Sequence, residues 1–455
     1  MQQDRYRVYS VVVDNRIIEV VRAKLGDALA MSFPPLIRRE AEAAPLHGKA
    51  RAVIGMRRAG KTSFLYQCLA DRLAAGIERE RLVYFNFEDE RLGGMEAADL
   101  GSLIEEYYRE FPRFRGIEKV TWCLDEIQIV PGWESWVRRL LDSELVEVLL
   151  SGSSARLLSR EVATSMRGRA LETVITPFSF REFITARGQQ PPAAPRLLAG
   201  QDRSRLRQLF DDYLETGGFP EASALPTVRD RVGLLQGYVD TVLFRDVAER
   251  HGVSNLPALR AFVRQLLRSA ACSFSVNKTF QDFKSRGLAI SKESLLAYLD
   301  HLEDAFLVFA LPLASRSERR RQVNPRKLYL ADHSLAAAFS PASGIDRGHL
   351  IENIVACELA RYTRDLAYVR TVDGLEVDFL ATDFKGNRTL VQVASSLGTR
   401  ETLARETRAL IAASAEFPDA ALLLLAEDDP TQLSLPEAIP YAPVWQWLLQ
   451  TAHPD

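Results

Sequence analysis

The sequence predicts an α/β fold in which a parallel sheet is followed by helices and then by further α/β segments. Short apolar runs alternate with helical patterns from about residue 50 to residue 180, as in parallel sheets whose strands are joined by crossover helices. A glycine-rich turn follows the apolar run 51–54, and two adjacent carboxylates end the run 120–124. Further buried strands are predicted at 82–87 and 146–150, and strand patterns return after residue 360.

The composition is that of an ordinary folded protein. The 455 residues are 47% hydrophobic and 26% charged, which excludes long disordered or fibrous architectures and allows about two to four domains. No apolar run approaches the roughly 20 residues of a membrane span, and the first residues lack a secretion signal. The four widely spaced cysteines disfavour zinc fingers and disulfide frameworks. We therefore expect a cytoplasmic protein with reduced thiols and no membrane partner.

The formal net charge of -2 hides an uneven distribution along the chain. Residues 1–252 carry 36 basic and 36 acidic side chains, residues 253–330 carry 13 and 6, and residues 331–455 carry 9 and 18. A polyanionic partner is therefore expected at the basic middle segment, not at the acidic carboxyl-terminal one.

A phosphate-binding pattern follows the first apolar run. Residues 55–62 fit G-x-x-x-x-G-K-[ST] between a short strand and a helical pattern, the context that this motif requires. Glycines let backbone N–H groups approach phosphates, a lysine reaches the β and γ oxygens, and a threonine hydroxyl ligates Mg²⁺. The sequence therefore predicts ATP and Mg²⁺ as cofactors. The predicted binding residues are Gly55, Met56, Arg57, Arg58, Ala59, Gly60, Lys61, Thr62 and Ser63.

The carboxylate pair Asp125-Glu126 ends the apolar strand about sixty residues later. In this position Asp125 is expected to complete the magnesium shell with Thr62, and Glu126 is expected to deprotonate the attacking water. An Asp-Glu pair alone could simply begin a helix with favourable charges. Its distance from the glycine loop favours the catalytic interpretation, so the sequence predicts hydrolysis as well as binding, with Lys61 and Glu126 as catalytic residues.

Further polar residues follow the third strand. Ser151 and Ser153 could sense the γ-phosphate or the lytic water, although a serine-rich stretch also caps helices. Arg167 and Arg169 are candidates for the arginine that stabilises transition-state charge in P-loop ATPases, and Arg245 is a second candidate. Ordinary surface ion pairs are the alternative for each arginine. An arginine supplied by a neighbouring subunit would require a homo-oligomer, which we expect.

These motifs together resemble a large family of bacterial and archaeal AAA-type P-loop ATPases with a C-terminal domain of unknown function (DUF4143). The resemblance runs from about residue 36 to residue 400 and implies an ATP hydrolase. The glycine loop is the most specific part of this resemblance. The later motifs indicate membership of the family but no chemical role. Those later motifs are Thr176-Pro-Phe-Ser-Phe180, Gly217-Gly-Phe-Pro220, Arg245-Asp246, Lys327-Leu-Tyr-Leu-Ala-Asp332 and Glu376-Val-Asp378.

The patterns divide the chain into five segments. The middle one resembles a winged helix, with helices at 261–271, 276–285 and 291–305, a strand at 306–311 and a basic wing at 316–327. The segments are 1–35 (amino-terminal), 36–176 (P-loop core), 177–252 (helical lid), 253–330 (winged helix) and 331–455 (carboxyl-terminal α/β).

The winged helix is expected to bind double-stranded DNA. The basic wing, beside a helix that carries Lys292, could bind phosphates with little sequence reading. Alternatively, this segment docks a protein, and its arginines pair with the acidic carboxyl-terminal segment.

The last segment resembles a degenerate restriction-endonuclease core. Glu352 on a helix and Asp378 on a strand stand where that core has metal ligands, but Gln392 and Ala394 replace its acid and lysine. We therefore expect binding or assembly here, with at most a weakly held metal and no cleavage.

Three functions stay open from the sequence. The first is a Mg²⁺-dependent ATPase that engages or remodels a DNA complex. The second is an ATP-driven signalling switch that binds a protein instead. The third, an ATP-dependent nuclease, is weakened by Gln392 and Ala394.

Overall fold

The computed structural model describes residues 15–152, 166, 168–195, 197–315, 317, 319, 324–340, 346–428 and 439–450. The chain divides into two compact units, with boundaries at Gly55/Met56, Ala59/Gly60 and Ile175/Thr176, so that residues 56–59 belong to the second unit. Within the described ranges, no helix combines the length and the apolar character needed to cross a membrane.

The first unit contains a five-stranded sheet of order β2-β3-β4-β1-β5 in which every pairing is parallel. This confirms the predicted α/β class. The strands are β1 Ala50–Ile54, β2 Leu82–Asn86, β3 Val120–Asp125, β4 Val146–Ser151 and β5 Ala170–Val174. The helices are α1 Asn15–Ala30, α2 Lys61–Ala74, α3 Leu100–Glu110 and α4 Trp133–Ser143.

The strands β3 and β4 form the centre of this sheet. All six residues of each are buried, as expected for parallel strands that are covered on both faces. Within β4, the charged residue Glu147 is paired with Arg72 of α2, whose Nε lies 2.7 Å from Glu147 Oε2. Helix α1 packs against α3 and β2, and Lys24 of α1 donates to Asp89 at 2.8 Å.

The second unit begins with the helices that the sequence predicts for the lid. The last of them continues directly into a π-helix, a winding that is often found at functional sites. These elements are α5 Phe180–Ala186, α6 Gly200–Thr216, α7 Pro220–Ser223, α8 Val228–Thr241 and the π-helix Val242–Glu249.

The middle segment combines three helices with a small antiparallel sheet of order β6-β8-β7. Side chains of Asn255, Ser275 and Ser291 cap the three helices at their amino ends. The elements are α9 Leu256–Arg268, β6 Cys272–Phe274, α10 Val276–Ser285, α11 Lys292–Asp304, β7 Val308–Leu311 and β8 Arg326–Leu330.

The carboxyl-terminal segment forms a mixed five-stranded sheet of order β13-β12-β11-β10-β9, with β9 to β11 antiparallel and β11 to β13 parallel. The strands are β9 Thr363–Arg370, β10 Glu376–Asp383, β11 Arg388–Val393, β12 Ala420–Ala426 and β13 Tyr441–Pro443. The helices are α12 Ser334–Phe339, α13 Arg347–Tyr362, α14 Arg400–Glu416 and α15 Val444–Gln450.

Two motifs that the sequence analysis left without a chemical role meet inside the second unit. The Gly218 N–H donates to Asp332 Oδ2 at 2.8 Å, and the Gly218 carbonyl accepts from Phe178 N–H at 2.7 Å. Gly217 has a φ of 75°, and a Cβ there would lie 2.4 Å from Asp332 Oδ1. These glycines and the aspartate therefore form a structural junction of the fold.

Candidate functional site

The glycine loop leaves the carboxyl end of β1, and its conformation requires its first glycine. Gly55 has a φ of 143°, and a Cβ there would lie 2.0 Å from the Ile175 carbonyl oxygen. Gly60, with a φ of 100°, precedes α2. Lys61 is buried, and its Nζ donates to the Gly55 carbonyl at 2.9 Å.

The carboxyl ends of neighbouring strands gather the predicted polar residues beside this loop. Asp125 of β3 is in register with Ser151 of β4, which is in register with Val53 of β1. The Thr62 Oγ1 donates a hydrogen bond to Asp125 Oδ2 at 2.8 Å. Thr62 and Asp125, 63 residues apart in sequence, therefore lie in direct contact, as the magnesium prediction requires.

The surroundings of Asp125 fit a bound cation. Its side chain is buried, and within the described chain its Oδ1 has no hydrogen-bond partner, nor has Ser151 Oγ. Buried polar atoms are rarely left without a partner unless an ion or water satisfies them. A threonine hydroxyl and a carboxylate are oxygen donors of the kind that Mg²⁺ prefers.

Tyr84 of β2 is a contact that sequence reasoning missed. Its hydroxyl donates to Asp125 Oδ2 at 2.8 Å. Burial and the Asp125 carboxylate raise the pKa of Tyr84 above its ordinary value, so the hydroxyl keeps its proton and stays a donor. A tyrosine in an apolar strand pattern looks like a packing residue, and no sequence signal distinguishes the two roles.

Glu126 lies directly after β3 in a left-handed backbone conformation, with a φ of 56°. Such a conformation is uncommon for a residue other than glycine and is concentrated at functional sites. Gln128 Nε2 donates to Glu126 Oε2, which restricts the position of the carboxylate. The Asp-Glu-x-Gln spacing of residues 125–128 is therefore a sequence signal that adds to the Asp-Glu pair.

The predicted sensor and arginine residues have different outcomes. Ser151 ends β4 beside Asp125, whereas Ser153 and Arg167 lie outside the described residues. The Arg169 carbonyl accepts from Ala50 N–H at 2.8 Å, and β5 runs parallel to β1. Arg169 is therefore at the amino edge of the sheet, opposite the glycine loop, and its guanidinium pairs with Asp142. It does not line the nucleotide site of its own chain, contrary to our expectation.

The loop residues 56–59 are anchored within the second unit. The Arg57 Nε donates to Asp246 Oδ2 at 2.7 Å and its Nη2 donates to Oδ1 at 3.0 Å. The Asp246 side chain is only 4% exposed, and Met56 is buried in the apolar cluster that includes Val242. Arg57 thus positions the loop through a bidentate pair. Its partner, Asp246, belongs to the π-helix.

Arg245, the second candidate for the arginine that stabilises transition-state charge, has an exposed side chain.

The predicted nuclease-like cluster contains a lysine that the sequence analysis assigned elsewhere. Lys327 Nζ lies 3.0 Å from Glu352 Oε1, 2.9 Å from Asp378 Oδ1 and 2.9 Å from Glu376 Oε1. Its expected place in a solvent-facing basic wing is wrong, because β8 is the middle strand of its sheet and the side chain is buried.

Further polar atoms in and beside this cluster are also hydrogen-bonded. The Asp378 Oδ2 accepts from Val393 N–H at 3.0 Å, and Gln392 Nε2 donates to Glu406 Oε2 at 2.8 Å. Within the ranges given above, no group of three or more histidine, cysteine or acidic side chains is placed to hold a metal ion. The Lys327 ammonium supplies the positive charge here, so these residues do not fit a second metal.

Burial sets the protonation of the cluster. Desolvation and then the Asp378 carboxylate raise the pKa of Glu352 to about 8, against the opposing effects of Lys327 and Tyr329. Both Lys327 Nζ and the Tyr329 hydroxyl donate to Glu352 Oε1, so Oε2 can carry the proton. Burial opposes the charge of Lys327, but the surrounding carboxylates raise its pKa overall.

Comparisons with known proteins agree with this architecture. A family model described as an AAA domain matches residues 47–184, and a domain of unknown function (DUF8612) matches 207–346. The model of the domain of unknown function DUF4143 matches 347–444.

An uncharacterized protein of Methanocaldococcus jannaschii is 31% identical over 394 residues, which are 85% of this chain and 84% of the relative. This chain belongs to its family. The family thus joins an AAA domain to a DUF4143 domain, and the predicted resemblance is confirmed.

A further member of the AAA/DUF4143 family comes from a bacterium. This uncharacterized protein of Haemophilus influenzae is 31% identical over 336 residues, which are 73% of this chain and 79% of the relative. A solved chain of Drosophila ORC bound to AT-rich DNA and Cdc6 aligns at 13% identity over 71% of this chain and 92% of that one. Its TM-score of 0.19 is too low to support any argument.

The Arg57–Asp246 pair predicts a role for Asp246 in nucleotide affinity. In Asp246→Asn, one charge-assisted hydrogen bond is lost and residues 56–59 are held less firmly, so we expect roughly tenfold weaker ATP binding. Calorimetric titration measures this. Asp240→Asn, at an exposed position of α8, is the matched control and should bind as the wild type does. Unchanged affinity in Asp246→Asn would contradict the positioning role.

The raised pKa of Glu352 predicts a pH dependence of stability. In the unfolded chain this carboxyl titrates near 4.5, whereas in the folded protein it keeps its proton up to about pH 8. The folded state therefore binds more protons in this window, and stability falls as pH rises, by up to about 1.4 kcal/mol per pH unit. Glu352→Gln should remove this slope.

Hydrogen exchange of the β10 and β11 amides between pH 5 and 8, corrected for intrinsic rates, measures this slope. Glu401→Gln, at an exposed position of α14, is the control and should keep the wild-type slope. A Glu352→Gln variant with the same slope as the wild type would show that Glu352 titrates normally.

Proposed function

We propose that this chain is a Mg²⁺-dependent ATP hydrolase that couples nucleotide turnover to the engagement of a DNA complex. The observation that carries the hydrolase part is the 2.8 Å hydrogen bond from Thr62 Oγ1 to Asp125 Oδ2, beside the glycine loop. An isolated glycine loop could serve binding alone, whereas a loop with its magnesium-type carboxylate in contact is suited to catalysis.

The glycine loop and the start of α2 form the phosphate site in this proposal. Backbone N–H groups at the amino end of a 14-residue helix favour an anion. The Lys61 ammonium, which now donates to the Gly55 carbonyl, can turn its remaining protons to the β and γ oxygens. Thr62 and Asp125 would hold Mg²⁺, which neutralises phosphate charge when bound.

Glu126 is the proposed general base. It follows Asp125 at the carboxyl edge of the sheet, and Gln128 fixes one of its oxygens. Its role is to accept the proton of the attacking water, while Ser151, whose Oγ lacks a partner in the described chain, is positioned to donate to the γ-phosphate or the water. The arginine that stabilises the transition state would come from a neighbouring subunit, since Arg169 is at the opposite sheet edge.

The DNA part of the proposal is supported by charge and by element order. Residues 253–330 carry 13 basic and 6 acidic side chains. Their succession of helix, strand, two helices and two strands supports the winged-helix interpretation, a fold that often binds DNA.

Two substitutions test the hydrolase. Glu126→Gln should bind ATP with wild-type affinity but hydrolyse it about 10² to 10⁴ times more slowly, because a general base contributes that factor. Lys61→Ala should lose ATP binding. Steady-state phosphate release and calorimetry measure the two effects, and Glu110→Gln, exposed at the end of α3, should behave as the wild type does.

Wild-type turnover in Glu126→Gln would refute the base assignment, and absence of ATP binding by the wild type would refute the hydrolase. If duplex DNA at low salt changes neither the ATPase rate nor the ATP affinity, the coupling to DNA is refuted while the hydrolase stands.

A further inference from the structure

Helix α9 has one buried face and one basic face. Six apolar side chains anchor the buried face, namely Ala258, Leu259, Phe262, Val263, Leu266 and Leu267. Arg260, Arg264 and Arg268 occupy the exposed face at intervals of four residues, which places them about 6 Å apart along the helix axis. The result is a row of three arginines along the exposed side of the helix, inclined to its axis by the roughly 40° offset of each four-residue step.

A fourth arginine extends this row across a shallow concavity. The concavity has a volume of about 680 Å³ and is lined by α9 together with Asp282 and Arg286 of the α10 end. Asp282 pairs with Arg286 at 3.3 Å, and both are about half exposed. Its charged lining therefore comprises four arginines and one carboxylate, a strongly positive surface.

The described acidic residues of the carboxyl-terminal segment do not pair with this row. In the described part of the chain, Arg260 lies 4.7 Å from the Phe244 ring and Arg268 Nε donates to the Phe339 carbonyl at 2.8 Å. No described carboxylate forms an ion pair with Arg260, Arg264 or Arg268. By contrast, Lys327 is paired with three carboxylates. Lys327 therefore pairs with carboxylates of the acidic segment. The arginines of the row, for which such pairing was the alternative, do not pair with its described carboxylates.

The helix that the sequence analysis chose for DNA is less suitable. Helix α11 carries Lys292, which lies over the Phe280 ring at 5.4 Å. The same helix carries four carboxylates, Glu293, Asp300, Glu303 and Asp304. Its net charge repels phosphates, and of the predicted wing arginines, Arg316, Arg320 and Arg321 lie outside the described residues.

We propose that the row Arg260–Arg264–Arg268, together with Arg286, binds the phosphate backbone of double-stranded DNA. This inference rests on the proposed engagement of DNA and locates it on α9. An evenly spaced row of cations fits a polymer with evenly spaced anions, and a straight helix face can follow a duplex backbone. Guanidinium groups also form bidentate hydrogen bonds with phosphate. Such contacts fix position without reading bases.

The number of contacts gives a quantitative signature. Each phosphate neutralised by a side chain contributes about -0.9 to the slope of log affinity against log salt concentration for duplex DNA. Three or four contacts from this row therefore predict a slope contribution of about -3 to -4.

The test measures binding of the full chain to a short labelled duplex by fluorescence anisotropy at several salt concentrations. Arg260→Gln/Arg264→Gln should bind roughly tenfold or more weakly at low salt, with a slope shallower by about 2. Arg400→Gln/Arg408→Gln on α14 is the matched control, since both arginines are exposed and the change in net charge is equal. It should keep the wild-type slope, and both variants should keep the ATPase rate measured without DNA.

Three results would overturn the inference. If the wild type binds DNA and the α9 variant keeps its affinity and slope, the row is not the surface, although DNA engagement stands. If both variants weaken binding equally, the effect is one of net charge. If the wild type binds an acidic peptide through the row and no duplex, the partner is a protein. ATP hydrolysis is measured without DNA. A wild type that does not hydrolyse ATP is therefore distinguishable from each of these three DNA-binding results.

Discussion

The candidate site is built around one contact, the hydrogen bond between Thr62 and Asp125 at the carboxyl edge of a parallel sheet. Parallel strands place the residues that follow them at a common edge, which is where ligands bind in such folds. The order β2-β3-β4-β1-β5 puts β4 next to β1, the strand that leads into the glycine loop, and β3 one strand further away. Asp125, Ser151 and Thr62, from three separate parts of the sequence, therefore share one small region in which a buried oxygen of Asp125 lacks a partner in the described chain.

Charge has different roles in the two ends of the second unit. Inside the carboxyl-terminal segment, Lys327 Nζ contacts Glu352, Glu376 and Asp378, and removal of an ionised partner is costly because a buried charge is left unpaired. On α9, arginines are exposed and without carboxylate partners among the described residues. The first arrangement stabilises the interior of the carboxyl-terminal segment, and the second leaves positive charge available to a partner.

The sequence predicted most of the fold and the centre of the candidate site. The glycine loop, Asp125 and the strands that precede them follow from local patterns, because motif spacing and apolar periodicity are written in consecutive residues. Tertiary contacts cannot be read from consecutive residues in this way. Nothing near Lys327 indicates that three carboxylates surround it, and nothing near Arg57 indicates Asp246, 189 residues away. Arg169 was misplaced because sequence distance from β4 does not reveal at which edge of the sheet β5 begins.

The most direct test of the central claim is the magnesium dependence of ATP affinity, measured by calorimetry for the wild type and for Asp125→Asn. If Thr62 and Asp125 hold the ion, the wild type binds ATP more tightly with Mg²⁺ than with a chelator. The Asp125→Asn variant then binds ATP about equally under both conditions. A wild-type affinity that is unaffected by the chelator, or an Asp125→Asn variant that keeps the full magnesium effect, would contradict the account.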